Sequence, residues 1–220
     1  MGVVAFLVFS ASEWVALIGL MFAMFHFPLS GYRGQILLCS FLLSLLSYLL
    51  FDVWELTMIA PMVQLPIVIL CVWQIFRVHV FYASVMTTFG YMGYGFVQSL
   101  YMLVFHFIGF SFVEMQTTYA AYVIQLLSIV SSLLIAYLIY KKRLGFSFIP
   151  DSVKVKVRMK GENLWLLFLC VLGHINVAMF NYLASKGIYS FLVISVILSA
   201  LLYSAWKREE SLALNYSHRE

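Results

Sequence analysis

Charge is what this sequence has least of. Of its 220 residues only 10% are Asp, Glu, Lys or Arg and 64% are apolar, whereas a soluble domain carries roughly 25% charge. Side chains in that ratio cannot cover a water-facing surface, which excludes a separate soluble domain. Cysteine is scarce too: Cys39, Cys71 and Cys170 each lie inside an apolar run. They lack the paired spacing of zinc or redox sites, so small buried hydrophobes are expected. There is no HExxH, no Gly-x-Ser-x-Gly and no glycine-rich loop to cradle a phosphate, and the five histidines are scattered. No metal site and no cofactor is therefore predicted, and no motif identifies a catalytic residue. The first 25 residues lack a basic leader region and run too long for a signal peptide, so a first span is expected there and not a cleaved leader.

What the chain has in abundance is long apolar runs without alternation. A bilayer offers no water to backbone groups, so such runs span it as helices. The fold class expected is an all-α, polytopic integral membrane bundle of about seven transmembrane helices, each of roughly 20 residues. The spans fall at about 3–25, 36–51, 57–76, 80–105, 119–140, 164–183 and 189–206, with a tail over 207–220. Pro61 and Pro66 predict a kink in the third span. The second span is short and needs extension toward Arg33 or a thinner bilayer.

One long polar segment interrupts this pattern. The 141–163 stretch, KKRLGFSFIPDSVKVKVRMKGEN, holds seven of the thirteen Lys and Arg residues. Positive charge beside a span resists translocation, so this loop is expected to be cytoplasmic. Alternation then puts twelve of thirteen basic residues inside, with Lys186 alone outside. That solution has the N-terminus out and the C-terminus in. Tyr119 and Tyr189 at outer ends, with Tyr140, Trp165 and Trp206 at inner ends, match interfacial aromatic belts. The net charge of +4 is read as orientation beside anionic lipid, with no nucleic-acid partner.

Glu13 is the sharpest candidate for function. About ten residues into a helix it lies roughly 15 Å deep, where an ionisable group is costly unless paired, protonated or hydrated. Asp52, Trp54, Glu55, His106 and Glu114 fall at outer ends of spans and predict an acidic rim able to receive a ligand; solvated loop charges are the plainer reading. Span four gathers Gly90, Gly93 and Gly95 with Tyr91, Tyr94, Phe96 and Gln98. The glycines suit close helix contacts, while Tyr91, Tyr94 and Gln98 are candidates for lining an apolar pocket. Ser40, Ser44 and Ser47 predict a small-residue contact face, and Gln64, Gln74, Gln98, His174, Asn176 and Asn181 interhelical hydrogen bonds.

The architecture of tight spans, short loops and a basic loop before the final pair resembles the membrane sensor module of GHKL-type, peptide-sensing histidine kinases of the accessory-gene-regulator kind. The stretches FRVHVFYASVMTTFGYMGYGFVQ from Phe76 and RLGFSFIP from Arg143 also look like multi-span proteins of spore-forming Firmicutes. The resemblance implies a bacterial multi-pass cell-membrane protein that senses an apolar, lipid-like or peptide ligand at its outer face. Because KREESLALNYSHRE after Trp206 carries no kinase domain, it implies a separate kinase or a second copy as partner. Two other functions stay open. Glu13 and the prolines suit a small transporter or substrate-binding membrane subunit. Glu13 with Asp52 or Glu55 suits a membrane-integral enzyme using paired carboxylates on a lipid-like substrate, as in membrane terpene cyclases.

Overall fold

The computed structural model describes residues 2–57, 59–112, 115, 119–150, 157, 161–179 and 188–217, with side chains of the last helix through Ser211. It is helical, without a strand among these residues. Seven long helices follow one another: α1 Val3–Met24, α2 Arg33–Tyr48, α3 Ala60–Ile75, α4 Val80–Phe107, α5 Tyr119–Lys141, α6 Glu162–Ala178 and α7 Ile188–Ser217. By length and composition α1, α5, the first 24 residues of α7, and α2 with its extension are long and apolar enough to cross a membrane. Their outward faces are apolar: Val8, Leu37, Phe41, Val130, Leu134 and Val196 are all exposed, which is compatible with a lipid surround.

The short second span resolves in a specific way. Helix α2 starts at Arg33, and a π-helical turn over Leu49–Val53 prolongs it. This gives 21 residues from Arg33 to Val53, or ~31 Å at 1.5 Å per residue. Pro61 lies in the first turn of α3, where a missing N–H leaves no hydrogen bond unmade, so only Pro66 interrupts the helix interior. The predicted tail is in part a continuation of α7 as far as Ser217.

Side-chain contacts show that the helices run alternately up and down. At one end Phe6 meets Tyr48, Phe9 meets Tyr122 and Phe96 meets Phe191. At the other, Phe25 meets Phe146 and Phe148, the Arg208 guanidinium reaches Tyr82, and Trp165 donates to Ser204. Close approaches hold the bundle at mid-height. A Cβ on Gly90 would meet Met21 Cβ at 3.1 Å, one on Gly93 would meet Leu20 Cδ2 at 3.1 Å, and one on Gly173 would meet Thr88 Cγ2 at 2.5 Å. Glycine here lets α4 lie against α1 and α6, since attraction between helices in lipid comes from packing and not from the hydrophobic effect. Ser40, Ser44 and Ser47 of α2 are buried, and Ser44 Oγ donates to the Leu7 carbonyl at 2.9 Å.

The segment after α5 is not a free polar loop along its whole length. Phe146 N donates to the Met24 carbonyl at 2.8 Å, and Phe148 and Ile149 are buried. Gly145 makes this possible. Its φ of +148° and the Met24 oxygen, 2.7 Å from where a Cβ would stand, leave no room for a side chain. Ser147 is clasped through its amide and hydroxyl by the Glu209 carboxylate. The segment therefore caps this end of the bundle.

Candidate functional site

A cavity of about 360 Å³ lies in the opposite half of the bundle, and every one of the seven helices contributes to it. From α1 come Phe6, Phe9, Ser10, Glu13, Trp14 and Leu17. The end of α2 with its π turn gives Ser47 and Phe51, and the start of α3 gives Pro61 and Gln64. Helix α4 gives Tyr91, Met92, Tyr94, Gly95 and Gln98, and α5 gives Tyr122 and Gln125. The close of α6 adds Asn176 and Val177, and α7 adds Ile194. Residues 10, 13, 14 and 17 recur at helical spacing on one face of α1, as do 91, 94, 95 and 98 on α4.

Among the described residues Glu13 is the only formally charged one in this lining, with no Lys, Arg or His beside it. Tyr94 OH donates to its Oε1 at 2.8 Å, and the Gln125 side chain lies near the same carboxylate. A second polar cluster centres on Ser47, whose hydroxyl accepts from Gln64 Nε2 at 2.9 Å and Trp14 Nε1 at 3.2 Å and donates to the Leu43 carbonyl. The Trp14 indole stands edge-on to Tyr91, with centroids 5.9 Å apart. Two buried polar groups of the lining have no partner: the Tyr91 hydroxyl, and the Asn176 side chain at both Oδ1 and Nδ2.

Among the nine candidates of the sequence, Glu13, Tyr91, Tyr94 and Gln98 meet in this cavity. Asp52, Trp54 and Glu55 are exposed and do not line it. His106 is stacked on Phe112, with centroids 4.3 Å apart, and its Nδ1 is 3.2 Å from the Phe110 carbonyl; it does not line the cavity either. Glu114 lies outside the described residues, as does Asn181. Among the described residues no second carboxylate joins Glu13 in the lining.

Of the predicted interhelical hydrogen bonds, Gln64 makes one to Ser47 and His174 Nε2 lies 3.0 Å from Thr88 Oγ1. Gln74 is exposed on the outside of α3, and Asn176 makes none, because its side chain is turned to the hollow and not to a neighbouring helix. Gln125, Tyr122 and Trp14 were not among the nine. Their signal was available only through spacing: Trp14 follows Glu13, and Tyr122 and Gln125 are three apart on α5. The Cys39 and Cys71 thiols also lie near one another across α2 and α3, a juxtaposition their sequence spacing does not reveal. No family model, no curated protein and no solved structure matches the chain.

Proposed function

We propose that this chain is a multi-pass membrane protein that senses or regulates by binding a small, largely apolar ligand in the cavity around Glu13. The carrying observation is that one cavity of about 360 Å³ is walled by residues of all seven helices. Ligand contacts there bear on every helix at once, which is what coupling occupancy to a bundle-wide state requires. The volume sits near the lower end of small-molecule sites, roughly 300–1,000 Å³, and favours a compact ligand over a peptide. With the basic loop inside, the cavity belongs to the outer half of the membrane, as expected for a ligand arriving from outside.

The test is saturable binding of a small environment-sensitive naphthalene dye to the purified protein in nanodiscs. Binding is expected in the wild type and lost in Gln98→Trp, which fills the cavity. Equal saturable binding to both proteins overturns the reading.

Transport is the second reading. It is favoured by a carboxylate inside a cavity in one half while the other half is capped by residues 145–149, an arrangement open toward one side only. Uptake of the dye into proteoliposomes that disappears in Glu13→Gln supports it. Binding without uptake leaves the sensor.

A further inference from the structure

The cavity has an acid without a base. Of its twenty described lining residues seven are aromatic, one is a carboxylate and none is cationic. A carboxylate has about four acceptor positions, and the Tyr94 hydroxyl occupies one. An ionised Glu13 in a low-dielectric wall needs a counter-charge, and the lining supplies none. Aromatic faces attract cations through their quadrupole, Trp and Tyr most of all, and Trp14 and Tyr91 line the same space. Asn176 adds an independent sign of a ligand. It is only 4% exposed, it lines the cavity, and both its donor and its acceptor are unpartnered. A native fold seldom leaves a buried carboxamide unsatisfied without a functional reason.

We propose that the ligand of this cavity is a small organic cation: a protonated amine on an apolar or aromatic body, with its ammonium at Glu13 between the rings and a polar group that pairs with Asn176. This rests on the binding reading above and narrows it to a chemical class. The ammonium donates to the free carboxylate positions, and the hydrocarbon body displaces whatever fills the aromatic walls. A neutral analogue of equal shape gains the second contribution only. An anionic one meets Glu13 as a like charge.

The experiment uses three probes of similar size at pH 7: 2-phenylethylamine, 2-phenylethanol and 3-phenylpropanoate. Each is titrated calorimetrically into the full chain in nanodiscs and, separately, used to displace the naphthalene dye. The amine is expected to bind about tenfold tighter than the alcohol and the carboxylate not to bind. Glu13→Gln, which keeps the shape and the Tyr94 contact partner, is expected to remove the preference of amine over alcohol. Equal affinity for amine and alcohol in the wild type overturns the cation assignment and leaves a small-molecule site standing. So does an amine preference that persists in Glu13→Gln. An absent amine heat overturns it as well, whatever the dye does. Amine binding that survives Gln98→Trp unchanged lies outside the cavity, and then both the assignment and the broader reading fall.

Discussion

The two halves of the bundle are made from the same helices and are packed in opposite ways. In α1, Leu17 to Met24 are all buried, while the turns from Val3 to Glu13 are mostly half-buried or exposed. In α4, Phe81, Tyr82, Ala83, Val85, Met86 and Phe89 are buried in the core, whereas Tyr91, Tyr94, Gly95 and Gln98 border a void. The capped half is a lattice of rings. Phe22 contacts Phe27, Tyr32 and Phe76 at 4.8 to 6.0 Å, and Phe25 contacts Phe89, Phe146 and Phe148 at 5.2 to 6.0 Å. Among the described residues its one buried cation, Arg208, lies over Phe148 at 4.6 Å and donates to Tyr82 OH at 3.0 Å. The open half instead keeps a carboxylate without a cation and an amide without a partner. Ring packing dominates the capped half, where Arg208 Nη1 also lacks a partner, and in the open half the unpartnered Tyr91 hydroxyl and Asn176 amide border the cavity.

The largest expected difference between the halves concerns which side of the membrane each faces. In a background lacking Cys39, Cys71 and Cys170, cysteine at Tyr189, exposed at the cavity end, is expected to label in intact cells with a membrane-impermeant maleimide. Cysteine at Leu144, exposed beside the cap, is expected to stay unlabelled until the cells are opened. The reverse pattern would put the cavity inside and remove an external ligand from the proposal.

Next in size is packing. Phe22→Ala opens a cavity in the ring lattice and is expected to cost about 3–5 kcal/mol. Phe9→Ala, at a site that already borders a void, is expected to cost about 1 kcal/mol, since the gap it enlarges is already open. Chemical or thermal unfolding in a single detergent measures both, and equal losses would erase the distinction between a close-packed and a hollow half. Arg208→Met is a smaller test of the cap. It keeps a long apolar stem but loses the cation–π contacts and the Tyr82 hydrogen bond, for an expected loss of about 1–2 kcal/mol.

Much of the fold was legible because run length and composition speak directly to helices in lipid. The small residues Gly90, Gly93, Ser40, Ser44 and Ser47 were legible as contact faces for the same reason. Within the site, Tyr91, Tyr94 and Gln98 could be grouped because positions three and four apart share a helix face, and Glu13 stood out by depth. What sequence supplies poorly is azimuth. Asp52, Trp54, Glu55 and His106 fall near helix ends, yet they do not line the cavity. Gln125 and Asn176 sit on helices whose apolar residues run around the whole circumference, so no periodicity marks the inward side. The 141–163 loop was read by its charge, and its apolar minority, Phe146, Phe148 and Ile149, turned out to decide where its first part docks.

The smallest effect is also the one with the opposite sign. A core substitution normally destabilises, and Asn176→Leu changes a residue that is only 4% exposed. Its amide oxygen and nitrogen are both unpartnered, so the native state bears their desolvation without a compensating hydrogen bond, at roughly 1–3 kcal/mol per buried group. Leucine has a similar size and no such groups. In ligand-free detergent the variant is therefore expected to gain about 1 kcal/mol, the full amount being reduced because the same amide also finds few partners when the bundle opens within the membrane. The phenylethylamine affinity is expected to be no better in this variant than in the wild type, so that stability rises where binding does not. A loss of stability in the ligand-free state would mean that Asn176 is satisfied within the folded bundle. The open half would then hold its polar groups for packing, as the capped half holds Arg208.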